Sequence, residues 1–422
     1  MSTARRPAVI VDPYSSGALF APAFQQAGVP VLALVSSPVP PQVYAASFRP
    51  QDYPEVITHH GDLAQTQRRL RELDPLCVLP GCESGVELAD RLTAAVLPEQ
   101  ANVPELTDAR RHKGAMAEAV ARAGLPTIPQ ICTDDPGRVA AWIAESGLAG
   151  RDLVVKPPKS AGTDGVTKVP GGRGWQQVFE GQIGRPNRLG LVNEQLLVQE
   201  YAVGTEYVVD LFSHGGEHTV ADVCRYGKVD NGVHMAVYES LVWLAPEDPV
   251  VPVVTAYAKQ VLDAVGLWYG TAHVELMLTA DGPRLIEVGV RPHGGGHPRY
   301  CRAATGDSQV DRAVRYFTGQ GEIPGDYQLR RHVRVVFLMS RTAGVVRSAA
   351  SLSAIGELAS HHESVINVRA GDRIGVTEDL FATFDLGFVV LAHPDREQVL
   401  ADEAAVRRAE AGLEVLAEAV PT

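Results

Sequence analysis

The chain opens with short apolar runs separated by stretches of helical periodicity. Apolar runs at 8–12, 31–35 and 76–80 are typical of buried strands. Strands that alternate with helices predict a doubly wound parallel sheet over about the first hundred residues, and such sheets bind ligands at the carboxyl ends of their strands. Ser16 and Glu83 lie in loops after two of these runs, so both are candidates for that edge. Glu83 is equally compatible with an acid that complements a helix N-terminus.

A glycine-rich loop follows the next predicted strand, 153–156, which ends at Lys156. The loop, PPKSAGTDGVTKV, offers backbone N–H groups and small hydroxyls of the kind that bind phosphates. It is no Walker A motif, because the lysine precedes the glycines, and the same residues are also typical of an ordinary hairpin turn. The surrounding pattern predicts helices at 110–123, 136–145 and 255–265, and strands at 196–201 and 206–212.

The last ninety residues differ in character from the middle of the chain. Apolar runs within HVRVVFLMS, GVVRSAA and FVVLAHP precede a helix rich in alanine, glutamate and arginine. This arrangement predicts a small α+β unit. His361 and His362 lie between these runs, and we expect them in a loop rather than in a ligand site.

Two glutamates lie in a predicted hairpin, HVELMLTADGPRLIEVGVRPHGGG. A three-residue loop centred on Asp281 would pair Thr279 with Pro283. Continued along the strands, that register places Glu275 opposite Glu287, with both side chains on one face and their Cβ atoms about 5 Å apart. A two-residue turn at this loop would instead put the glutamates on opposite faces. A solvated hairpin with two surface acids is the simpler alternative.

The paired carboxylates favour a divalent cation. At that separation they repel each other unless one is protonated or a cation lies between them, and hard oxygen ligands suit Mg²⁺. Arg291 and the run Gly294, Gly295 and Gly296 follow directly. A fixed cation and exposed backbone N–H groups suit phosphoryl or carboxylate oxygens.

Composition narrows the class of protein. The chain has 422 residues, 45% hydrophobic and 21% charged, as expected of a globular protein with about three domains. A net charge of -12 argues against nucleic-acid and anionic-membrane partners, which need basic surfaces. Five cysteines without close pair spacing predict reduced thiols and a cytoplasmic protein. No apolar run reaches the roughly 18 residues of a membrane span.

These signals occur in an order that resembles the ATP-grasp superfamily. The passages that carry the resemblance are RRHKGAM, VVKPPKSAGTDGV, VQEYAVGTEYVVD, HVEL and IEVGVRPHGGG. Near the termini, VDPYSSGALFAPAFQQAG, GCESGVELAD, RTAGVV and RIGVTEDLFATFDLGFVVL look like the L-amino acid ligase branch, with its bacilysin-type and dapdiamide-type members. The resemblance implies an α/β and α+β fold in four parts: an N-terminal α/β domain (1–107), an ATP-grasp lid subdomain (108–205), an ATP-grasp core with the metal site (206–325) and a C-terminal α+β subdomain (326–422).

The resemblance also implies a role for each matching residue. ATP phosphates would contact Lys113, Lys156 and the loop residues Ser160, Gly162, Thr163 and Gly165. The adenine hinge would be Glu200, Tyr201 and Val203, and the ribose would bind Glu206. Metal ions would bind Glu275 and Glu287, and the acyl phosphate would bind Arg291, Gly294 and Gly295. Substrate contacts would come from Glu83, Ser16, His273 and His293. Gly289 departs from the pattern, since many members of the superfamily have a metal-binding asparagine there.

The implied activity is an ATP-dependent carboxylate–amine ligase. It would join an amino acid, or a related carboxylic acid, to an amine through an acyl phosphate, in natural-product or antibiotic biosynthesis. ATP and Mg²⁺ are the expected cofactors, with two metal ions and Mn²⁺ as a substitute. The partners would be small molecules, and a homodimer is compatible with these expectations. A bicarbonate-using carboxylase and a non-catalytic nucleotide-binding protein remain as alternatives.

Overall fold

The computed structural model describes residues 5–229, 237–378 and 380–417. It divides into two compact units. The first contains the chain up to Val223, Glu247–Arg302 and Asp307–Tyr327. The second contains Cys224–Pro246, Ala303–Gly306 and the chain from Gln328 onward. The predicted four-part division of the sequence remains a prediction.

The strands are, in chain order, β1 Ala8–Val11, β2 Val31–Val35, β3 Val56–Thr58, β4 Cys77–Pro80, β5 Gln130–Thr133, β6 Leu153–Lys156, β7 Thr167–Val169, β8 Leu196–Glu200, β9 Thr205–His214, β10 Glu217–Val229, β11 Val237–Trp243, β12 Gly270–Thr279, β13 Gly282–Gly289, β14 His332–Phe337, β15 Gly344–Ser348, β16 His361–Ile366, β17 Arg373–Ile374, β18 Gly387–His393 and β19 Glu414–Ala417. The helices are α1 Phe20–Gln26, α2 Gln42–Ala45, α3 Leu63–Leu73, α4 Val86–Val96, α5 Lys113–Arg122, α6 Pro136–Glu145, α7 Trp175–Gln182, α8 Val251–Ala264, α9 His297–Thr305, α10 Gln309–Thr318, α11 Leu380–Leu386 and α12 Arg396–Ala411.

The first unit begins with the predicted parallel sheet, in the order β3-β2-β1-β4. Its inner strands are apolar and buried along their whole length, as expected when helices cover both faces. Phe20 and Phe24 of α1 pack on one face together with Val310 and Phe317 of α10. Leu70 of α3 and the apolar side of α4 pack on the other face. The carboxyl ends of β1 and β4 therefore meet at one edge.

A second sheet in this unit is antiparallel, in the order β5-β8-β6-β7. Val155 and Val198 on its strands pack against Trp175 and Phe179 of α7. The glycine-rich loop connects β6 to β7 at the edge of this sheet. The burial of both apolar faces holds Lys156, the last residue of β6, at the loop's entrance.

The third sheet of the first unit runs β13-β12-β9-β10, with β10 contributing its residues up to Val223. The predicted pairing of Glu275 with Glu287 is confirmed, but the predicted loop is wrong. The turn has two residues, so Thr279 pairs with Gly282 rather than with Pro283. A β-bulge between Glu275 and Leu276 then shifts the register, which returns the two glutamates to opposite positions on one face.

The second unit is the α+β region that the sequence predicts. Strands β11-β14-β18-β16 and β17-β15-β19 form its sheets, and α12 packs on β18 through Val399 and Val406. The prediction that His361 and His362 lie in a loop is wrong, because β16 begins at His361 and pairs with β18. Within the described residues, no helix has the length and apolar character needed to cross a bilayer.

Candidate active site

The edge of the parallel sheet is held together by Asp12, at the end of β1. Its carboxylate accepts hydrogen bonds from Ser36 N at 2.7 Å, Ser36 Oγ at 2.6 Å and Ser84 Oγ at 2.5 Å. Gly17 must lack a side chain, since its Cβ would lie 2.3 Å from the backbone oxygen of Gly81. This close approach brings the loops that carry Ser16 and Glu83 to one edge, as the sequence predicts.

Glu83 begins the helical segment that leads into α4, and it lies in a buried ion pair. Its side chain is 1% exposed, Arg291 Nε donates to Oε2 at 3.0 Å, and Arg111 Nη1 lies 3.3 Å from Oε1. Burial acts to raise the pKa of Glu83, but Arg111 and Arg291 together hold that pKa below its ordinary value. Glu83 is therefore a carboxylate with one guanidinium on each oxygen, and it is also the first residue of the 3₁₀ turn that leads into α4.

The loop after β13 completes this corner of the site. Gly295 and Gly296 have φ of 64° and 78°, which favours glycine, and Gly296 N donates to Ser16 Oγ at 3.0 Å. The Nη1 atom of Arg291 lies 3.7 Å from where a Cβ of Gly294 would be. The guanidinium and the backbone of the glycine run therefore lie together, as expected for an oxyanion site.

Lys113 connects three separate segments. It is the first residue of α5, whose N-cap His112 accepts a hydrogen bond at Nδ1 from Ala115 N. Lys113 Nζ donates to Glu287 Oε1 at 2.9 Å and to the backbone oxygen of Ser160 at 3.4 Å. One buried ammonium group thus contacts both the glutamate hairpin and the glycine-rich loop.

Lys156 lies in the same charged cluster. Burial, followed by the charge of Lys113, lowers the pKa of Lys156 to about 8. Three carboxylates act in the opposite direction and raise that pKa: those of Glu287, Glu275 and Glu206. Charge interactions weaken with distance, so these residues lie near one another. The cluster therefore contains the predicted phosphate, metal and ribose residues. A group with a shifted pKa beside specific charge partners is typical of a functional site.

The glycine-rich loop has the backbone conformation that its sequence predicts. Gly162 and Gly165 have φ of 62° and 70°, and a Cβ on Gly165 would lie 2.8 Å from Pro157 Cδ. Ser160 is fully buried. Thr163 Oγ1 is buried and makes no hydrogen bond to any residue that the structure describes. A buried hydroxyl in need of a partner fits a phosphate oxygen.

The predicted adenine hinge passes between two sheets. Glu200 pairs with Arg151 at 2.7 Å, and Lys168 Nζ lies 4.1 Å from the centre of the Tyr201 ring. Val203 is 74% exposed, an unusual position for an apolar side chain and one that suits a flat ligand. Beyond the hinge, Glu206 is buried at the start of β9.

The paired glutamates fit a divalent metal ion. Glu275 and Glu287 are directly opposed and half-buried, and their carboxylates supply the hard oxygen donors that Mg²⁺ prefers. An asparagine at position 289, which the resemblance leads one to expect, has no room here. A Cβ on Gly289 would lie 1.9 Å from Cε1 of His273, its partner across the strand pair. The ring of His273 therefore fills the space above Gly289.

Several residues of the site were missed in the sequence analysis. Next to His273, the rings of His293 and His297 are stacked, and Asp210 and Asp222 lie against them. Asp210 ends the motif EYVVD, and His297 follows His293 by four positions. Arg111, the second partner of Glu83, is part of RRHKGAM. Their motifs are visible in the sequence, but their contacts depend on strand pairing between distant segments.

Comparison with known proteins places this geometry in a family. Residues 150–298 match the ATP-grasp domain family. The dapdiamide A synthase of Enterobacter agglomerans is 31% identical over 350 residues, which cover 80% of this chain and 81% of that protein. Among solved structures, the L-amino acid ligase of Bacillus licheniformis has a TM-score of 0.71 at 15% identity, covering 99% of this chain and 100% of that chain.

A second similar structure holds a nucleotide. The carboxyaminoimidazole ribonucleotide synthase of Aspergillus clavatus, complexed with ATP, has a TM-score of 0.69 at 14% identity, covering 97% of this chain and 99% of that chain. At these identities the two structures establish the fold, while the curated relative establishes the family. Enzymes of the family use ATP with a divalent metal ion and act on small molecules. This chain belongs to the ATP-grasp family and is an ATP-dependent, ADP-forming ligase of carbon–nitrogen bonds.

Proposed function

We propose that the enzyme joins the carboxylate of an amino acid, or of a related carboxylic acid, to an amine or a second amino acid. The products would be an amide or dipeptide, ADP and phosphate, and the pathway would be natural-product biosynthesis. The observation that carries the proposal is the buried corner where Arg291 pairs with Glu83, beside the Lys113–Glu287 contact. It combines the groups needed for phosphoryl transfer with a carboxylate suited to a substrate ammonium. The relation to dapdiamide A synthase supports the same substrate class.

Phosphoryl transfer is the first chemical step. A carboxylate is a poor acyl donor, and transfer of the γ-phosphoryl group makes an acyl phosphate with a good leaving group. Lys113 and Lys156 bind the phosphates, and the loop with Thr163 closes over them. Glu275 and Glu287 would hold Mg²⁺, with two ions expected and Mn²⁺ as a substitute. When bound there, the metal would neutralise charge on the phosphate oxygens.

Amide formation is the second step. The amine attacks the acyl carbon, and Arg291 with the N–H groups of Gly294 and Gly295 stabilises the oxyanion. Glu83 binds the α-ammonium group of the donor beside Arg291, and its two arginine partners keep it ionised. The glycine-rich loop excludes water, which would otherwise hydrolyse the acyl phosphate.

The experiment that tests this proposal follows oxygen from the donor. Pairs of amino acids are screened for ADP and phosphate release, and the active donor is then prepared with ¹⁸O in its carboxylate. An acyl phosphate delivers one labelled oxygen to inorganic phosphate. Label in AMP instead would mean an adenylate mechanism and would overturn the proposal.

Carboxylation is the second candidate, because the fold is shared with the carboxyaminoimidazole ribonucleotide synthase. That chemistry predicts ADP release that depends on bicarbonate rather than on a donor amino acid. Replacing the donor amino acid by bicarbonate in the same ADP-release assay separates the two activities.

A homodimer is also proposed for this enzyme. Sedimentation of the purified protein measures its oligomeric state.

A further inference from the structure

His293 lies inside the proposed acyl-phosphate site, between Arg291 and Gly294 in sequence. Its Nδ1 lies 3.2 Å and 3.3 Å from the two carboxylate oxygens of Asp210. Asp210 is 1% exposed and belongs to β9, the strand beside β12. A buried carboxylate on one imidazole nitrogen fixes the tautomer, so Nδ1 carries the proton and Nε2 can act as a base.

The surroundings of His293 limit how a substrate can reach it. The ring of His273 covers one face, with centres 4.8 Å apart and planes 15° apart. The ring of His297 covers the other, at 4.0 Å and 13°. The side chain of His293 is nevertheless 12% exposed. With both faces and the Nδ1 edge covered, the approach to this ring is narrow.

The charges around His293 keep it neutral. Burial acts to lower the pKa of His297, but Asp210 and Asp222 raise that pKa to about 10, so His297 is an imidazolium. Burial and then the charge of His297 lower the pKa of His293, and the charge of Arg291 acts in the same direction. Asp210 acts in the opposite direction on His293, but the pKa of His293 is still lowered. Burial acts to raise the pKa of Asp210 itself, while the charges of His297 and then His293 hold that pKa below its ordinary value. His293 is therefore a neutral imidazole at neutral pH and lies against an ionised Asp210.

A metal ion would be a different use of the same cluster. Asp210, His293 and His297 present ligand atoms within 4.8 Å of one another. His297 Nε2, however, lies 2.8 Å from Asp210 and 3.1 Å from Asp222, which are hydrogen-bond distances for a protonated ring. A nitrogen that donates to two carboxylates has no lone pair for a metal, so proton chemistry is the better account.

We propose that His293 is the general base of amide formation, an inference that rests on the proposed ligase function. The acceptor amine arrives as an ammonium ion, and His293 Nε2 takes one proton. The freed nitrogen lone pair forms the new C–N bond. The bond between the acyl carbon and the bridging oxygen of the acyl phosphate breaks, and its electron pair leaves with the phosphate. A second proton leaves the nitrogen with the departing phosphate as hydrogen phosphate. The imidazolium then returns its proton to solvent.

The test separates attack by two amines in the variant His293→Gln. Hydroxylamine is uncharged at neutral pH and needs no base, so it should still capture the acyl phosphate as a hydroxamate at close to the wild-type rate. Amide formation with the amino acid acceptor should fall about 10²–10⁴-fold. An equal fall for both amines would indicate a structural role and overturn the proposal.

A matched control is His218, another buried histidine of this unit that has an aspartate partner. His218 Nε2 lies 3.2 Å from Asp263, and its Nδ1 lies 2.7 Å from Ser213 Oγ. His218→Gln should leave the ratio of amide to hydroxamate unchanged. If the wild-type enzyme makes no ATP-dependent hydroxamate from any donor, the proposed ligase function itself is wrong. That outcome differs from one in which only the role of His293 is wrong.

Two further measurements on wild-type protein test the proposal even if the variant His293→Gln does not fold. In the wild type, the extra proton transfer to His293 predicts a larger solvent deuterium isotope effect on aminolysis by the amino acid than by hydroxylamine. An isotope effect that is the same for both amines would overturn the proposal without any substitution. Tightly bound metal found by elemental analysis of wild-type protein, and lost in His293→Gln, would assign the cluster to a metal ion instead.

Discussion

Arg291 and Glu83, which are 208 positions apart in the chain, form one buried ion pair in which Nε donates to Oε2 at 3.0 Å. Arg291, which would stabilise the oxyanion, is therefore held by Glu83, which would bind the donor's ammonium group. Arg111 occupies the other oxygen of Glu83. Donor binding and oxyanion stabilisation are coupled through a single carboxylate, so changes at Glu83 should affect both.

Glu83→Ala should raise the KM for the donor steeply and leave the KM for ATP nearly unchanged, because the donor's ammonium loses its partner. The substitution also leaves two buried guanidinium groups without their carboxylate. Removal of one partner from a buried pair costs about 3–5 kcal/mol, so urea unfolding should show a loss of that order. Wild-type stability together with a wild-type donor KM would remove Glu83 from both roles.

Glu287→Gln should keep the fold and reduce ADP formation by roughly 100-fold or more, because the metal site loses a charge and Lys113 loses its anionic partner. A coupled ADP assay measures the effect. Glu55→Gln is the control, since Glu55 forms an exposed pair with Arg69. Undiminished turnover in the Glu287 variant would exclude the carboxylate pair from the mechanism.

The hairpin illustrates what local pattern could and could not predict. The alternation of apolar and polar residues correctly placed Glu275 and Glu287 on paired strands. The turn type was wrong, and a two-residue turn alone would have set Glu275 against Ile286. The bulge corrects the register, but a bulge is a property of strand curvature and neighbouring strands, which a single strand's sequence does not encode.

Burial on two faces explains which strands were predictable. Strands β1, β2 and β4 are continuous apolar runs because helices cover both sides of their sheet. Strand β3 is three residues long, partly exposed and at the sheet's edge, so its sequence lacks that signal. The contact of Asp210 with His293 was equally hidden, because it depends on β9 lying beside β12.

Lys156→Ala should weaken ATP binding about 10- to 100-fold, because hydrogen bonds to charged groups contribute about 1.5–3 kcal/mol. Lys156 is only 4% exposed, which argues against an incidental surface lysine. Calorimetric titration with ATP measures the change, and Lys259→Ala on α8 is the control. Equal affinity of the Lys156 variant and the wild type would contradict its assignment to the phosphates.

The imidazolium of His297 predicts a loss of stability in alkali. Its pKa is raised from 6.5 to about 10 by Asp210 and Asp222, against the effect of burial. A raised pKa in the folded state stabilises the fold fully below pH 6.5, and this contribution disappears as the pH rises through 10. The free energy of unfolding should therefore fall over this interval in the wild type, more than in His297→Gln. Parallel pH profiles for the two proteins would show that His297 is uncharged in the fold.

Gly289 and His273 should behave as a complementary pair. Gly289→Asn alone forces a side chain into the ring of His273, where the Cβ would lie 1.9 Å from Cε1. Overpacking of this kind costs about 1–3 kcal/mol in unfolding free energy. The double variant His273→Ala with Gly289→Asn removes the ring and should recover much of that loss.

In the double variant, the amide oxygen of the new asparagine would lie on the same face as Glu275 and Glu287. Mn²⁺ should therefore bind more tightly to the double variant than to His273→Ala alone, as measured by electron paramagnetic resonance titration. If the two substitutions destabilise the protein additively, the ring of His273 is not what excludes a side chain at position 289. If Mn²⁺ affinity is unchanged, position 289 does not face the metal site.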